Sequence, residues 1–309
     1  MAVPARVGTG EPNRMNRLRI AIWMTALALA VGGGDCAHAQ SSTPKADGPA
    51  CNRSGFRVVI DVGHTAEAPG AQSARGRYEY DFNLRLAKRI EQKLRETGFE
   101  QATLLITHGK SRKQLFQRTA QASKGSADLF LSIHHDSVPD KFLEKWQFEG
   151  EEHIFSDRFK GHSIFVSRNN GSYDASLQFA RLLGNQLKAR GLRYTPHYTE
   201  KFMGSRQRQL VDAEAGVYRY DQLIVLKGTR MPAALLEAGS IINRDEELAM
   251  ETPERQSLIS AAVVDAVDGF CAARRPHEHI ARAGAGAKTA RSTIAPAAVG
   301  PTAQTKSQR

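Results

Sequence analysis

The chain has 309 residues, 41% of them apolar, which suffices for a sizeable core and excludes both a disordered protein and a membrane bundle. Its formal charge of +11 first suggests an anionic partner such as nucleic acid. However, residues 1–39 carry a net +2 and residues 274–309 a net +6, which leaves only +3 for the middle of the chain. Because the body is nearly balanced, we predict no nucleic-acid partner.

The first 39 residues are predicted to be a secretory signal peptide. Three arginines precede the apolar run 20–31, which is too short to span a bilayer comfortably. The small-x-small sequence Ala-His-Ala that ends at Ala39 is a cleavage site. Cleavage there predicts a secreted, periplasmic protein with no stable membrane insertion, and an uncleaved anchor is the alternative.

Two cysteines, Cys51 and Cys271, bracket the predicted folded body at its ends. Domain termini often lie close together, and an exported chain meets an oxidising compartment. A disulfide between the two is therefore one hypothesis, and a pair of free thiols is the other.

Strands alternate with helices in the first half of the body. Residues 40–54 are polar and read as a linker, and residues 56–62 are an apolar, β-branched run typical of a strand buried on both faces. A loop rich in Ala, Gly and Ser follows at 65–77. The periodicity then predicts helices over 79–97 and 111–124 and strands over 102–107 and 128–133.

The second half is less regular. Residues 139–162 interrupt the alternation, and we predict an amphipathic helix or an irregular lid there. Beyond them the pattern predicts strands over 163–167, 222–227 and 233–238, helices over 174–190 and 253–270, and an irregular stretch over 193–220. Residues 274–309 contain almost no large apolar side chain and are predicted to be a disordered basic tail. The whole order predicts one α/β domain over 55–273, with a mainly parallel, twisted sheet flanked by helices.

Four apolar fragments carry a residue able to bind a metal or move a proton. His64 and His134 each follow a strand, Glu79 begins a helix, and Glu237 lies in the late strand. Ligands bind outside the carboxyl ends of parallel strands, so the two histidines should converge there. Two imidazoles and one carboxylate form the ligand set of a catalytic zinc ion, and a further carboxylate can activate its water. Each residue alone also fits an ordinary role in capping or packing, so the prediction depends on the four together.

These fragments resemble the zinc-dependent N-acetylmuramoyl-L-alanine amidases of the bacterial cell wall, the amidase-3 family. The family pattern is a strand ending in Asp-Pro-Gly-His-Gly, then Glu with Asn four residues later, then Ser-Ile-His, and finally Glu-x-Gly with Asn nearby. Its counterparts here are the segment from Asp61 to Thr65, Glu79 with Asn83, the segment from Ser132 to His134, and the segment from Glu237 to Gly239 followed by Asn243 and Glu246.

The resemblance implies a reaction and assigns roles. His64, Glu79 and His134 would bind Zn²⁺ at the carboxyl edge of the sheet, and Glu237 would be the catalytic carboxylate. The substrate would be peptidoglycan, cut between N-acetylmuramic acid and L-alanine for cell-wall remodelling, daughter-cell separation or turnover. Two alternatives stay open: a catalytically silent peptidoglycan-binding or regulatory protein with the same fold, and a zinc peptidase that cuts within the stem peptide.

The sequence departs from the family pattern around both histidines. Val62 stands where the family has Pro, and Thr65 and Ala66 stand where it has Gly. His135 directly follows His134, so it is an alternative ligand or a supporting group. Since adjacent strand residues face opposite sides, only one of the two should reach the metal, and the resemblance favours His134.

Residues 139–162 occupy the position where some relatives carry a regulatory helix. One hypothesis is that Glu149, Glu151 or Glu152 caps the metal until an activator protein withdraws the segment. A solvated acidic loop is the alternative.

Five cations are candidates for binding substrate carboxylates. Arg118, in the second predicted helix, either positions substrate or pairs internally, and we favour the internal role. The others form a basic cluster that suits a muropeptide or is a plain basic surface: Arg206, Arg208, Arg219 and Lys227.

Overall fold

The computed structural model of the chain describes the backbone of residues 51–110 and 113–285. The predicted signal peptide, most of the predicted linker and the end of the predicted tail lie outside these described residues. The last helix continues through Ala285, so the first part of the expected tail, from Arg274 onward, is helical. Ala and Arg, which are strong helix formers, are frequent in this part of the sequence.

Within the described residues the chain forms nine strands and six α-helices. The strands are β1 (Val58–Val62), β2 (Ala102–Leu105), β3 (Leu129–Asp136), β4 (Glu144–Phe148), β5 (Glu151–Phe155), β6 (Ser163–Val166), β7 (Gln209–Asp212), β8 (Val217–Arg219) and β9 (Ala233–Ser240). The helices are α1 (Glu79–Glu96), α2 (Lys113–Lys124), α3 (Tyr173–Ala189), α4 (Ile224–Lys227), α5 (Arg244–Glu251) and α6 (Pro253–Ala285).

Seven of the strands form one mixed sheet in the order β2-β1-β3-β9-β6-β8-β7. The first four neighbours are parallel, β6 is antiparallel to β9, β8 is parallel to β6, and β7 is antiparallel to β8. The prediction of a mainly parallel sheet flanked by helices in one α/β domain is confirmed. Because β1, β3 and β9 lie side by side, their carboxyl ends form one continuous edge.

Side chains alternate across this sheet between two apolar cores. In β3, Leu129, Leu131 and Ile133 pack into the core shared with α1, α3 and α6, whereas Phe130 packs into the opposite core beneath α2 and α4. The α1 helix buries a stripe that recurs every fourth residue, which is the spacing of one helical face. Its members are Phe82, Leu86, Ile90 and Leu94.

The two cysteines form a disulfide, which confirms that hypothesis over free thiols. Cys51 precedes β1 and Cys271 lies in α6, 220 residues apart in sequence. Phe56 and Phe270 pack edge to face beside them, with ring centroids 6.3 Å apart. The portion of α6 up to Arg274 is long and apolar enough to cross a membrane by length and composition, but half of it is buried inside this domain.

Three sequence predictions differ from the structure. Residues 222–227, predicted as a strand, instead contain the short helix α4, because a brief apolar run has no period that separates helix from strand. The stretch 193–220, predicted to be irregular, contains β7 and β8. Residues 139–162 contain a short 3₁₀ helix at Asp140–Phe142 and the hairpin β4–β5 instead of an amphipathic helix or an irregular lid, with positive φ at Glu149 and Gly150 in the two-residue turn of the hairpin.

Candidate functional site

Three neighbouring strands bring the predicted site residues to one edge of the sheet. His64 lies two residues beyond the end of β1, and His134 lies near the end of β3. Glu237 of β9 is paired in register with His134. Glu79, the first residue of α1, enters from the connection that follows β1. The four residues predicted from sequence therefore converge, although they span more than half of the described chain.

The Glu79 carboxylate lies between two imidazoles. Its Oε2 is 2.9 Å from Nε2 of His64, and its Oε1 is 2.9 Å from Nδ1 of His134. One donor atom from each of His64, Glu79 and His134 lies within 4.8 Å of the others, so these three residues could hold a metal ion, and they are called the metal-binding group below. Two imidazoles and a carboxylate are the donor set of many catalytic zinc sites, so the residues present fit such an ion.

Burial and hydrogen bonding together set the protonation of Glu79 and His134. Burial raises the pKa of Glu79, but hydrogen bonds from His134 and His64 outweigh it and lower the pKa below the ordinary value. Burial lowers the pKa of His134, which keeps that imidazole neutral. An ionised carboxylate and a neutral imidazole are the forms that bind a metal. The His64 side chain is 33% exposed, so the group is open to solvent on that side.

The backbone approaches these side chains closely at two glycines. A β-carbon on Gly63 would come 2.5 Å from Nε2 of His134. A β-carbon on Gly70, where φ is +82°, would come 2.5 Å from Oε2 of Glu79. The loop over 65–77 thus folds back against the metal-binding atoms. His64 itself has φ of 65°, an uncommon conformation for a residue with a β-carbon.

A buried ion pair supports the His64 turn from beneath. Arg118 Nε is 3.1 Å from Oδ1 of Asp61, and its Nη2 donates to the His64 carbonyl at 2.6 Å. Ser132 donates to the same aspartate at 2.6 Å. Burial raises the pKa of Asp61 to about 6, with Arg118 and Ser132 opposing the rise. The favoured internal role of Arg118 is confirmed, since its side chain is only 2% exposed.

His135 points away from the metal-binding group, as strand alternation predicts. Its Nδ1 lies 2.8 Å from Oδ1 of Asn83, and its ring packs against Phe82 with centroids 5.6 Å apart. Asn83 in turn donates to Oε1 of Glu79 at 3.1 Å. His134 is thus the histidine of this pair that lies in the group, and His135 contacts it through Asn83.

Glu237 lies in a small pocket of about 180 Å³ that it shares with His134. Burial raises the pKa of Glu237 well above its ordinary value, Asp136 and Glu79 raise it further, and Arg206 opposes them. The remaining wall is aromatic, apolar and basic. It consists of Phe165, Tyr198, Arg206, Arg208, Tyr220, Leu223 and Leu235.

Sequence reasoning missed the buried aspartate beside this pocket. Asp136, 4% exposed, accepts hydrogen bonds from the Tyr198 hydroxyl at 2.8 Å to both of its oxygens. Burial raises the pKa of Asp136 to about 6, and the Tyr198 hydrogen bond and Arg206 oppose the rise. The available signal was its place two residues after His134, which puts both side chains on the same side of β3.

The predicted basic cluster divides into two parts. Arg206 and Arg208 line the Glu237 pocket. Arg219 instead pairs with Asp221 at 2.6 Å, and Lys227 donates to Gln222 at 3.4 Å. Of the four residues, only Arg206 and Arg208 lie in the same pocket as Glu237.

The β4–β5 hairpin supports the loop over 65–77 with aromatic side chains. Trp146 Nε1 donates to the carbonyl of Ala74 at 2.8 Å, and the Arg75 guanidinium lies 5.3 Å from the Trp146 ring centroid. The three acidic residues of the capping hypothesis are exposed, as the alternative of a solvated acidic segment predicts, and none belongs to the metal-binding group. They are Glu149, Glu151 and Glu152.

The chain matches known proteins over most of its described residues. Residues 58–269 match the profile of the Amidase_3 family, described as N-acetylmuramoyl-L-alanine amidase. The N-acetylmuramoyl-L-alanine amidase AmiA of Escherichia coli (strain K12) is 23% identical over 251 residues, covering 72% of this chain and 79% of AmiA.

Two solved structures share the fold. The amidase Ami1 from Mycobacterium smegmatis superposes with a TM-score of 0.55 at 19% identity, over 72% of this chain and all of Ami1. The catalytic domain of the amidase CwlV from Bacillus (Paenibacillus) polymyxa var. colistinus gives 0.50 at 26% identity, over 70% of this chain and 97% of CwlV. Since the family profile spans most of the described body, the chain belongs to the Amidase_3 family of N-acetylmuramoyl-L-alanine amidases.

Proposed function

We propose that the protein is an exported, zinc-dependent amidase that hydrolyses the bond between N-acetylmuramic acid and L-alanine in peptidoglycan. One observation carries the proposal. The group formed by His64, Glu79 and His134 lies at the carboxyl edge of the sheet, and Glu237 is paired with His134 across β3 and β9. This is the combination of metal ligands and proton carrier that hydrolysis of an unactivated amide requires.

In this proposal His64, Glu79 and His134 hold the ion. Bound zinc supplies a Lewis acid, which polarises a carbonyl and lowers the pKa of water to about 7. Glu237 accepts the proton of the attacking water and donates it to the nitrogen of L-alanine, because an amine leaves readily only when protonated. Glu237 lines the same pocket as His134, which supports this role because the carboxylate then lies beside the residues that would hold the ion.

We further propose the organisation around this domain: a cleaved signal peptide over 1–39, a linker over 40–54 and a basic tail at the end of the chain. Peptidoglycan lies outside the cytoplasmic membrane, so an enzyme that cuts it must be exported. We propose that this protein is exported to the periplasm. The disulfide between Cys51 and Cys271 also suits an oxidising compartment. The activity would serve wall remodelling, daughter-cell separation or turnover.

An activator acting on residues 139–162 stays part of the proposal in a modified form. The acidic residues of the hairpin are exposed, so release of an acidic cap is not its basis. Instead, Trp146 connects the hairpin to Ala74, four residues from Gly70. A partner that moved the hairpin would therefore act on the metal-binding group through the loop over 65–77.

The test is a digestion of purified sacculi by zinc-loaded protein, with mass spectrometry of the released fragments. The wild type should release peptides that begin with L-alanine, and Glu237→Gln should release almost none while it keeps its zinc. Glu214→Gln, which changes an exposed glutamate in a surface ion pair with Lys188, is the matched control. Chelation should abolish the activity, and added zinc should restore it.

Other results would support the alternatives. Fragments that begin after L-alanine would indicate a peptidase that cuts within the stem. A folded, zinc-loaded wild type that binds sacculi and releases nothing would indicate a silent binding protein. Equal activity of the wild type and Glu237→Gln would overturn the role of Glu237.

A further inference from the structure

We infer that Arg206, with Arg208 beside it, forms a subsite for one carboxylate on the peptide part of the substrate. This inference rests on the proposed function and deepens it, because it names the group that the site selects. Both arginines line the pocket of about 180 Å³ that contains Glu237 and His134. A ligand group held by them would therefore lie within a few bonds of the amide to be cut.

Arg206 is held in place but has donors to spare. Its Nη2 donates to the carbonyl of Ser137 at 3.0 Å. Among the described residues its one carboxylate neighbour within 4.0 Å is Asp136, with the Nη2 to Oδ1 distance at 3.9 Å. The side chain is 40% exposed, so the rest of the guanidinium faces the open side of the pocket. The 3.9 Å separation is too long for a hydrogen bond, so Arg206 acts on Asp136 through its charge alone and keeps N–H donors for a ligand.

Arg208 adds a second, rigid cation. Its guanidinium carbon lies 3.6 Å from the centroid of the Tyr220 ring, and its Nη1 donates to the carbonyls of Ser205 and Gln207 at 2.8 Å. No carboxylate of the described residues lies within 4.0 Å of it, and its buried Nε has no hydrogen-bond partner there. A stacked arginine has lost most of its conformational freedom before a ligand arrives, so it binds at a lower entropic cost.

The contrast with the other arginines of the region supports a ligand role. Arg118 forms an ion pair with Asp61 and donates to the His64 carbonyl, and Arg219 is paired with Asp221 at 2.6 Å. Arg208 has no carboxylate within 4.0 Å among the described residues, Arg206 has only Asp136 at 3.9 Å, and both arginines line the pocket. An arginine fork matches the two oxygens of a carboxylate, which explains why this chemistry suits the position.

The substrate chemistry assigns the carboxylate to the peptide. In the muramoyl unit the lactyl carboxyl is consumed by the amide, and N-acetylated sugars are neutral. Anionic groups therefore belong to the peptide, and the pocket of about 180 Å³ beside Glu237 accommodates a carboxylate on a short side chain. We assign the subsite to the residue that follows L-alanine.

The test uses two muramoyl peptides that differ in one group. The residue after L-alanine carries either a free carboxylate or the corresponding carboxamide. The wild type should prefer the carboxylate by about tenfold to a hundredfold in kcat/KM, the range expected for hydrogen bonds to a charged group. In Arg206→Gln the ratio of the two kcat/KM values should fall to about one, because any effect of the lost charge on Glu237 applies to both peptides and cancels in the ratio. Arg206→Lys should keep part of the carboxylate preference, and Arg219→Gln should keep all of it.

A binding measurement separates this inference from the reaction. Zinc-loaded Glu237→Gln, alone and combined with Arg206→Gln, is titrated with both peptides by calorimetry. A carboxylate preference that needs Arg206 supports the subsite even if the wild type cleaves neither peptide, a result that would overturn the proposed reaction alone. Equal losses on both peptides in Arg206→Gln would overturn the subsite, since they would mean that Arg206 acts only through Ser137 and Asp136. A preference that survives the substitution would overturn it as well.

Discussion

Gly70 lies so close to the Glu79 carboxylate that a β-carbon built on it would come 2.5 Å from Oε2. The same β-carbon would lie 2.9 Å from Nε2 of His64. The loop over 65–77 therefore depends on a glycine where it crosses the metal-binding group. The positive φ of +82° at this residue adds a second requirement for glycine.

Gly70→Ala should weaken zinc binding by about tenfold or more, because the added methyl group would displace the Glu79 carboxylate. The loss of a contact that merely supports a ligand already weakens metal binding by about that factor. Gly150→Ala is the matched control: its φ is +83°, and nothing lies within 4 Å of its β-carbon position. Both variants should lose about 1 kcal/mol of stability from backbone strain. Only Gly70→Ala should lose zinc affinity in competition with a chromophoric chelator, and equal affinities would contradict this reading of the loop.

The adjacent histidines make a second prediction. His134→Ala removes a donor from the metal-binding group and should abolish stoichiometric zinc after dialysis. His135→Ala should keep one zinc ion with about tenfold weaker affinity, because it loosens Asn83 and through it Glu79. His135→Ala should also lower the free energy of unfolding by about 1–3 kcal/mol, because the buried Asn83 Oδ1 loses its hydrogen-bond partner. Zinc content of the two variants is measured by elemental analysis, and the reverse pattern would make His135 the ligand.

The metal-binding group was predictable because its geometry follows from strand order. Apolar runs that end in His64 and His134 indicate parallel strands, and parallel strands end at one edge. The position of Glu237 beside His134 then needs only a third strand in the same sheet. Strand order carried this part of the prediction, and alternation limited the metal-facing histidine to one of His134 and His135, but the choice of His134 came from the family resemblance.

The rest depends on contacts that no local pattern contains. Tyr198 reaches Asp136 across 62 positions of sequence, and Trp146 reaches Ala74 across 72. The division of the basic cluster likewise depends on the fold, because Arg219 and Lys227 lie beside Asp221 and Gln222 whereas Arg206 and Arg208 line the pocket. The hairpin β4–β5 was missed because only Trp146 and Phe148 alternate in the first strand, too short a signal to separate strand from helix.

The disulfide makes a third prediction. Cys51 and Cys271 close a loop of 220 residues, so the bond restricts the unfolded chain strongly. Replacing both by serine should lower the free energy of unfolding by about 2–5 kcal/mol. Zinc affinity should be unchanged, because Cys51 precedes β1 and lies at the opposite end of that strand from His64. Urea denaturation with and without reductant checks the effect: reductant should shift the wild type and leave the double variant where it is.

His162 makes a prediction about the pH dependence of stability. Its side chain is 4% exposed, and within the described part of the chain neither ring nitrogen has a hydrogen-bond partner. Burial lowers the pKa of His162 to about 4, against an ordinary value of 6.5, and the Arg255 charge lowers it further. The folded protein therefore keeps this imidazole neutral at pH values where the unfolded chain already binds a proton.

The sign of the effect follows from proton counts. Between pH 6.5 and pH 4 the unfolded state holds more protons at position 162 than the folded state, so stability falls as the pH falls through this window. Between pH 7.5 and pH 4.5 the free energy of unfolding should fall by about 2–3 kcal/mol more in the wild type than in His162→Gln. All other titrating groups are common to both proteins and cancel in the difference. Urea unfolding of the two proteins across this range gives that difference directly, and parallel curves would show that His162 becomes protonated in the folded protein as readily as in the unfolded chain.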